Sequence, residues 1–366
     1  MKHKIIVPIG VLVLCVSMLF PSVVAAADTD NQNWMEQVSG SDPNFGDRGL
    51  NQIILPGTHD SGTATFDDPN DPKDPGPDFW NLANPLISAS AQAAKGITIK
   101  WSQTQQSAVK DQLHKGVRYF DLRVAPNVWN KGWNEVNVQE TNLRTLHGLY
   151  GEPVENILYD TKRFLDTHPK EVVILDFQHF HEMTENGYLH LNRRIQDIFG
   201  SMLIPPSYGA NVPLHRLWKE NKRVIVLYGT DNQRYKSPID IRERYANDFQ
   251  KWIWDRHALL RSKWPNTMDT QVLKQVLDEE VRLNQTNDDH FCVLQGVLTP
   301  QTESIIKGTI NISESSLREV AGKANRVVLN GLQNDWKNQK LNVIEVDFFD
   351  DTDLVDVMIQ MNKNRP

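Results

Sequence analysis

Two histidines, an arginine and several carboxylates lie in short, separate stretches of this chain. His59-Asp60 follows Leu55-Pro56-Gly57-Thr58 and precedes Ser61-Gly62-Thr63. Asp121 and Arg123 close the run Val117-Arg118-Tyr119-Phe120-Asp121-Leu122-Arg123. His147 lies in Leu146-His147-Gly148-Leu149-Tyr150-Gly151, and Asp347 in Val346-Asp347-Phe348-Phe349. These are the parts for cleaving a phosphodiester by acid–base catalysis without a metal. An imidazole exchanges protons near neutral pH. A guanidinium holds phosphate oxygens with constant charge and forked geometry. Carboxylates behind the imidazoles fix their orientation and favour the cation.

Such groups act together only if the fold brings them to one place. Ile53-Ile54-Leu55 reads as a buried strand stopped by the turn signal Pro56-Gly57. In Val117–Val124, alternation places Tyr119, Asp121 and Arg123 on one face, with Phe120, Leu122 and Val124 on the other. Further strands are expected at Leu143–His147, Glu171–Gln178, Arg223–Tyr228, Phe291–Val297 and Asn342–Phe349. Helices are expected at Gln105–Lys115, Pro153–His168, Gly187–Phe199, Glu243–Arg261, Thr270–Arg282, Ser313–Ala324 and Asp353–Asn362. Strands alternating with helices imply parallel βα units, and about seven or eight strands favour a closed or nearly closed barrel. His59, Arg123, His147, Gln178 and Asp347 then fall at carboxyl ends of strands, where such barrels build their sites.

The chain has 366 residues and a formal net charge of −7. Its acidity argues against non-specific attraction to nucleic acid or to anionic membranes. Lys2 and Lys4, the apolar run from Ile5 to Phe20 and Val24-Ala25-Ala26-Ala27 read as a secretory signal peptide over 1–27. Residues 28–50 read as an extension packing on the barrel, and 51–366 as the single barrel domain. No later stretch is long and apolar enough to span a bilayer. The mature chain is expected to be exported. Cys292 is then its sole cysteine and reads as a buried strand residue. The Asp- and Pro-rich stretch 66–79 reads as a solvated loop rather than a calcium site. His179 and His181 invite a zinc reading, yet two histidines two apart in an irregular segment are common without metal. Trp129 and Trp133 flank the expected site mouth, where they either anchor a loop or meet a lipid interface.

The stretches at 55–63, 116–124 and 146–151, in that order, resemble the X domain of phosphatidylinositol-specific phospholipases C. They are most like small stand-alone proteins that carry an X domain and little else. The resemblance continues through His168–Leu175 and Val346-Asp347-Phe348. It implies an α/β fold, a distorted TIM-like barrel. By resemblance His59 is the general base on the inositol 2-hydroxyl, His147 the general acid on the leaving oxygen, and Arg123 the phosphate partner. Asp347 would orient His59, Asp60 support His147 and Asp121 hold Arg123. The product would be a cyclic inositol phosphate, formed from a phospholipid at a membrane surface by a monomer. No metal and no cofactor is implied, because Arg123 replaces the metal-binding set of calcium-dependent relatives.

The sequence departs from the secreted bacterial members. Gln178 stands near their ring-contacting lysine, and Gln295 lies in the strand that carries their acidic residue and tyrosine. These amides are the candidate substrate-binding residues. A metal-dependent glycerophosphodiester or sphingomyelin-type phosphodiesterase stays open as an alternative, as does a non-catalytic phosphoinositide-binding module.

Overall fold

The computed structural model describes residues 31–66, 99–130, 136–181, 183–229, 251–300 and 316–365, with the side chains of 128–130 and 136–139 left aside. The expected signal peptide, the Asp- and Pro-rich stretch beyond Phe66, the side chain of Trp129, Trp133, Glu182 and Ser313 lie outside the described residues.

Ten strands are described: β1 Leu55–Thr58, β2 Tyr119–Asn130, β3 Val136–His147, β4 Leu149–Pro153, β5 Val173–Phe180, β6 Val224–Tyr228, β7 Ile253–Asp255, β8 Leu260–Ser262, β9 Phe291–Gln295 and β10 Val343–Val346. Their order is β7-β6-β5-β2-β1-β10-β9-β8, with every contact along that path parallel. Eight parallel strands with helices between them form a nearly closed barrel, as the alternation predicts. The path ends at β7 and β8, which are joined through one helical turn, Arg256–Leu259. β6 (Val-Ile-Val-Leu-Tyr) is buried throughout, as expected for a strand covered on both faces.

Three local expectations are corrected. The first strand does not stop at Pro56-Gly57; both residues lie inside β1. Pro56 needs no donor there, because β2 begins to pair only at Gly57↔Tyr119, while the Pro56 carbonyl accepts from Arg118 N at 2.9 Å. Gly57 is needed for close approach: a Cβ would meet the Tyr119 ring at 3.1 Å and Val343 at 3.2 Å. The turn comes later, at Asp60, whose φ is +43°.

The helix expected over Glu243–Arg261 shrinks, in its described part, to the single turn Arg256–Leu259 between β7 and β8. Ile253 and Trp254 pair with Val226 and Leu227, the aromatic and β-branched side chains suiting a strand. Asp255 then starts a new turn, its carboxylate accepting from His257 N and Ala258 N. Finally, the strand carrying His147 is not a barrel strand. β3 runs antiparallel to β2 as the return arm of a long hairpin, and its carboxyl end descends to the rim.

The segment before β1 is held by buried polar contacts. Trp34 is fully buried and its Nε1 donates to Gly116 O at 3.1 Å. Glu171 accepts from Met35 N at the start of the helix Trp34–Ser41 and pairs with Arg118 Nε at 2.8 Å. Buried charges of this kind need such full pairing.

Candidate active site

His59 sits just past the carboxyl end of β1, on a turn fixed by surrounding polar groups. Its carbonyl accepts from Thr104 Oγ1 at 3.1 Å and from Gln105 Nε2 at 2.9 Å. Asp60 N donates to Asp121 Oδ2 at 3.1 Å, and Ser61 N to Asp121 O at 2.9 Å. β1 is thereby locked to β2 where the loop leaves the barrel. Asp347 follows β10, the other neighbour of β1, and its carbonyl accepts from Asn325 Nδ2 at 2.9 Å.

These placements bring the two imidazoles to ring centroids 6.3 Å apart, inclined at 71°. His59 Nδ1 lies 2.8 Å from Asp347 Oδ1. His147 Nδ1 donates to Ser102 O at 2.8 Å, which fixes the tautomer and turns Nε2 toward Asp60 Oδ2, 3.5 Å away. Arg123 stands beside both rings. Its Nε is 2.8 Å from Asp60 Oδ1 and its Nη2 is 2.9 Å from His59 Nε2. The role given to Asp121 therefore changes. The close carboxylate at Arg123 Nε is Asp60, and Asp121 instead holds the backbone of Asp60 from beneath. Asp60 serves both Arg123 and His147 because its left-handed backbone aims its side chain back into the barrel mouth.

Electrostatics follow from this crowding. Burial opposes charge on His59, but Asp60 and then Asp347 outweigh it and push its pKa up to about 10. Burial works to raise Asp60, yet Arg123, His147 and His59 together bring it down to about 2. Asp121 lies deeper, and burial with the charge of Asp60 lifts it to about 6. The Arg123 contact to His59 Nε2 is a hydrogen bond only when His59 is neutral and Nδ1–H is donated to Asp347. The protonated ring instead points Nε2–H at Asp60 Oδ2, 3.3 Å away. The carboxylates favour this protonated ring, so a proton must leave His59 before it can act as a base.

The groups open onto a cavity of about 170 Å³. Its other wall is apolar: Trp101, Trp264, Leu298, Pro300 and Leu317. The Trp264 ring lies 5.2 Å from that of His59. Trp264 was not singled out in the sequence, although it lies two residues past β8, at a site-forming strand end. Asp176 and Arg256 were also missed. Arg256 follows β7 and pairs with Asp176 at 2.8 Å, and Asp176 accepts from Tyr119 OH at 2.5 Å. The misread helix hid Arg256; alternation along β5 could have found Asp176. Glu345 is buried beneath them, and both its oxygens lack a hydrogen-bond partner among the described residues. Burial and then Asp121 raise it well above the usual carboxylate range.

Gln178 lies at a bulge where Leu122↔Phe177 gives way to Arg123↔His179, and its Nε2 is buried without a hydrogen-bond partner among the described residues. Gln295 Nε2 donates to Ser262 Oγ at 2.6 Å. His179 belongs to β5 rather than to an irregular segment. Burial and the charges of Arg123 and Arg256 lower it to about 4. His59, Asp60 and Asp121 offer three ligand atoms within 4.8 Å. A divalent ion there would be repelled by the guanidinium that already pairs with Asp60.

A nearly closed parallel barrel with a two-histidine cluster at its carboxyl rim defines a phospholipase C-like scaffold. Residues 84–229 match the family described as "Phosphatidylinositol-specific phospholipase C, X domain". The chain is 30% identical over 347 residues to PI-PLC X domain-containing protein 2 of Mus musculus, covering 92% of this chain and 89% of that one. It is 27% identical over 315 residues to PI-PLC X domain-containing protein 3 of Homo sapiens, covering 86% and 88%. The fold is similar to the phosphatidylinositol-specific phospholipase C of Staphylococcus aureus, with TM-score 0.59, 18% identity and coverage of 92% and 98%. It is also similar to that of Listeria monocytogenes, with TM-score 0.56, 14% identity and coverage of 91% and 99%. The chain belongs to the family of stand-alone PI-PLC X domain-containing proteins.

Proposed function

We propose that the chain is a phosphodiesterase of the phospholipase C type that cleaves phosphatidylinositol or a related phospholipid at a membrane surface. The observation that supports this most is the placement of Arg123 beside two imidazoles whose centroids are 6.3 Å apart. Binding alone needs no acid and no base. In this reading the phosphate takes the Nη side of Arg123, freeing His59 Nε2. Neutral His59 removes the proton of a neighbouring hydroxyl, such as the inositol 2-hydroxyl, as that oxygen attacks phosphorus. His147 gives its Nε2 proton to the departing diacylglycerol oxygen. One P–O bond forms and one breaks, leaving a cyclic phosphodiester, a cationic His59 and a neutral His147. Water adds by the reverse roles. Asp347 stabilises the cationic His59, and Asp60 the cationic His147. The apolar wall of Trp101, Trp264 and Leu298 suits the glycerolipid side of the substrate.

We extend the proposal to a secreted, metal-independent monomer. No described helix is long and apolar enough to cross a membrane. The ligand atoms of His59, Asp60 and Asp121 favour one competing reading, a metal-dependent phosphodiesterase. Turnover of phosphatidylinositol vesicles before and after EDTA separates the two. Unchanged turnover supports the first reading, and complete loss restored by a divalent ion replaces it with the second.

A further inference from the structure

The barrel carries a second concave surface at the end opposite His59. This cavity, of about 650 Å³, lies among residues that precede strands: Arg48 before β1, Asp288 before β9, and Lys337 and Lys340 before β10. Arg365, past the last helix, closes it. Among the described residues the charges there do not balance. Arg48 Nη2 pairs with Asp42 at 2.5 Å, and Lys340 Nζ with Asp288 at 3.2 Å. Among the described residues no carboxylate pairs with Arg365 or Lys337.

Arg365 is half-buried against Arg48. Its Nη2 donates to the Gln339 carbonyl, and its own carbonyl accepts from Arg48 Nη2 at 2.7 Å. Arg48 Nη1 donates to Asn362 O at 2.8 Å, so both guanidinium groups are held in place. Burial and then the charge of Arg48 press Arg365 down to about 10. A cation placed in that way is relieved by an anion joining it. The fixed guanidinium of Arg365, that of Arg48 with its partner Asp42, and the exposed Lys337 ammonium together suit the several oxygens of a phosphate better than a single carboxylate. The volume lies in the range of small-metabolite pockets.

We propose that this basal cavity binds a soluble phosphate-bearing molecule through Arg365, Arg48 and Lys337. The site is separate from the catalytic cluster and faces away from a bilayer engaged at His59. Only that last point rests on the proposed function.

The test is calorimetric titration of inorganic pyrophosphate into the Arg123→Gln chain, whose histidine cluster no longer offers a guanidinium to phosphate and whose remaining rim guanidinium, Arg256, is paired with Asp176. One saturable site is expected. Adding Arg365→Gln should weaken it by about tenfold or more, and adding Lys337→Gln by about threefold. Arg365→Gln removes the repulsion from the Arg48 charge together with the hydrogen bond to the Gln339 carbonyl, and keeps the backbone contact to Arg48, so its melting temperature without anion should stay close to that of the parent chain; Lys337 is exposed and its replacement leaves the fold intact. No saturable site in the Arg123→Gln chain, or an affinity unchanged by both further substitutions, would overturn the proposal. Arg365-dependent binding to phosphatidic acid vesicles that pyrophosphate does not displace would overturn the assignment to a soluble ligand.

Discussion

The two halves of the barrel rim differ in chemistry. On the side of β10, β1 and β2, charged groups converge within hydrogen-bonding distance: His59, Asp60, Arg123 and Asp347, with His147 descending from β3. On the side of β5 and β9, the candidate ligand groups are the amides Gln178 and Gln295, and the nearby charges Asp176 and Arg256 neutralise one another. The proposed reaction uses the first half to move protons around an anion. The second offers neutral hydrogen bonds, whose worth depends on what they meet. A reaction type can therefore be well specified where the headgroup is not, because protons and phosphate are common to many phosphodiesters.

Removing either imidazole is the most severe way to break the charged half. His59→Ala or His147→Ala should lower turnover by about 10³-fold or more, the combined worth of proton transfer and orientation. Initial rates on phosphatidylinositol vesicles measure it, and full activity in either variant would end the role assignments. Arg123→Lys should cost about 10²-fold, because an ammonium cannot serve Asp60 through Nε and a phosphate through the Nη edge at once. A loss confined to KM would show that Arg123 binds the ground state only.

The pH profile sharpens the same half. With its pKa raised to about 10, His59 is cationic at neutral pH, so the pH profile of kcat/KM should carry a limb with its inflection near pH 10. Asp347→Asn removes one of the carboxylates that raise it and should move this limb to lower pH, with a lower plateau. The same shift bears on folding. A group raised in the folded state stabilises fully below its unfolded value of 6.5 and loses that contribution as pH rises through about 10. Wild type should therefore lose stability relative to His59→Ala over that window, by roughly 1–4 kcal/mol. Urea denaturation at several pH values reads the difference, and parallel curves would refute the cationic His59.

The smallest effect is expected in the amide half. Gln178→Lys replaces a buried amide, whose Nε2 lacks a hydrogen-bond partner among the described residues, with a cation. It should shift preference among phospholipid headgroups by about tenfold, toward ones with more acceptors, without changing the reaction. Equal rate changes on every headgroup would remove Gln178 from substrate contact.

Much of this was legible because a barrel obeys period two. Alternation in Val117–Val124 put Asp121 and Arg123 on one inner face, and strand ends located His59 and Asp347. Two kinds of information were not legible. One is long-range pairing: Pro56-Gly57 reads as a turn until its neighbours are known, and only register shows that Pro56 has no donor to lose. The other is which partner a charge selects. The resemblance gives Asp121 to Arg123 and Asp60 to His147, and only the structure, with its positive φ at Asp60, shows the Asp60 carboxylate beside both. Trp264 and Arg256 were missed for a related reason, since both follow three-residue strands too short to show a pattern.

In the proposed reaction His59, Arg123 and His147 act on one phosphorus atom. Phosphorus NMR of the products from phosphatidylinositol vesicles tests it most directly. A five-membered cyclic inositol phosphate signal is expected with wild type and not with His59→Ala. A linear phosphate as the first product, or no product from any phospholipid offered, would contradict it.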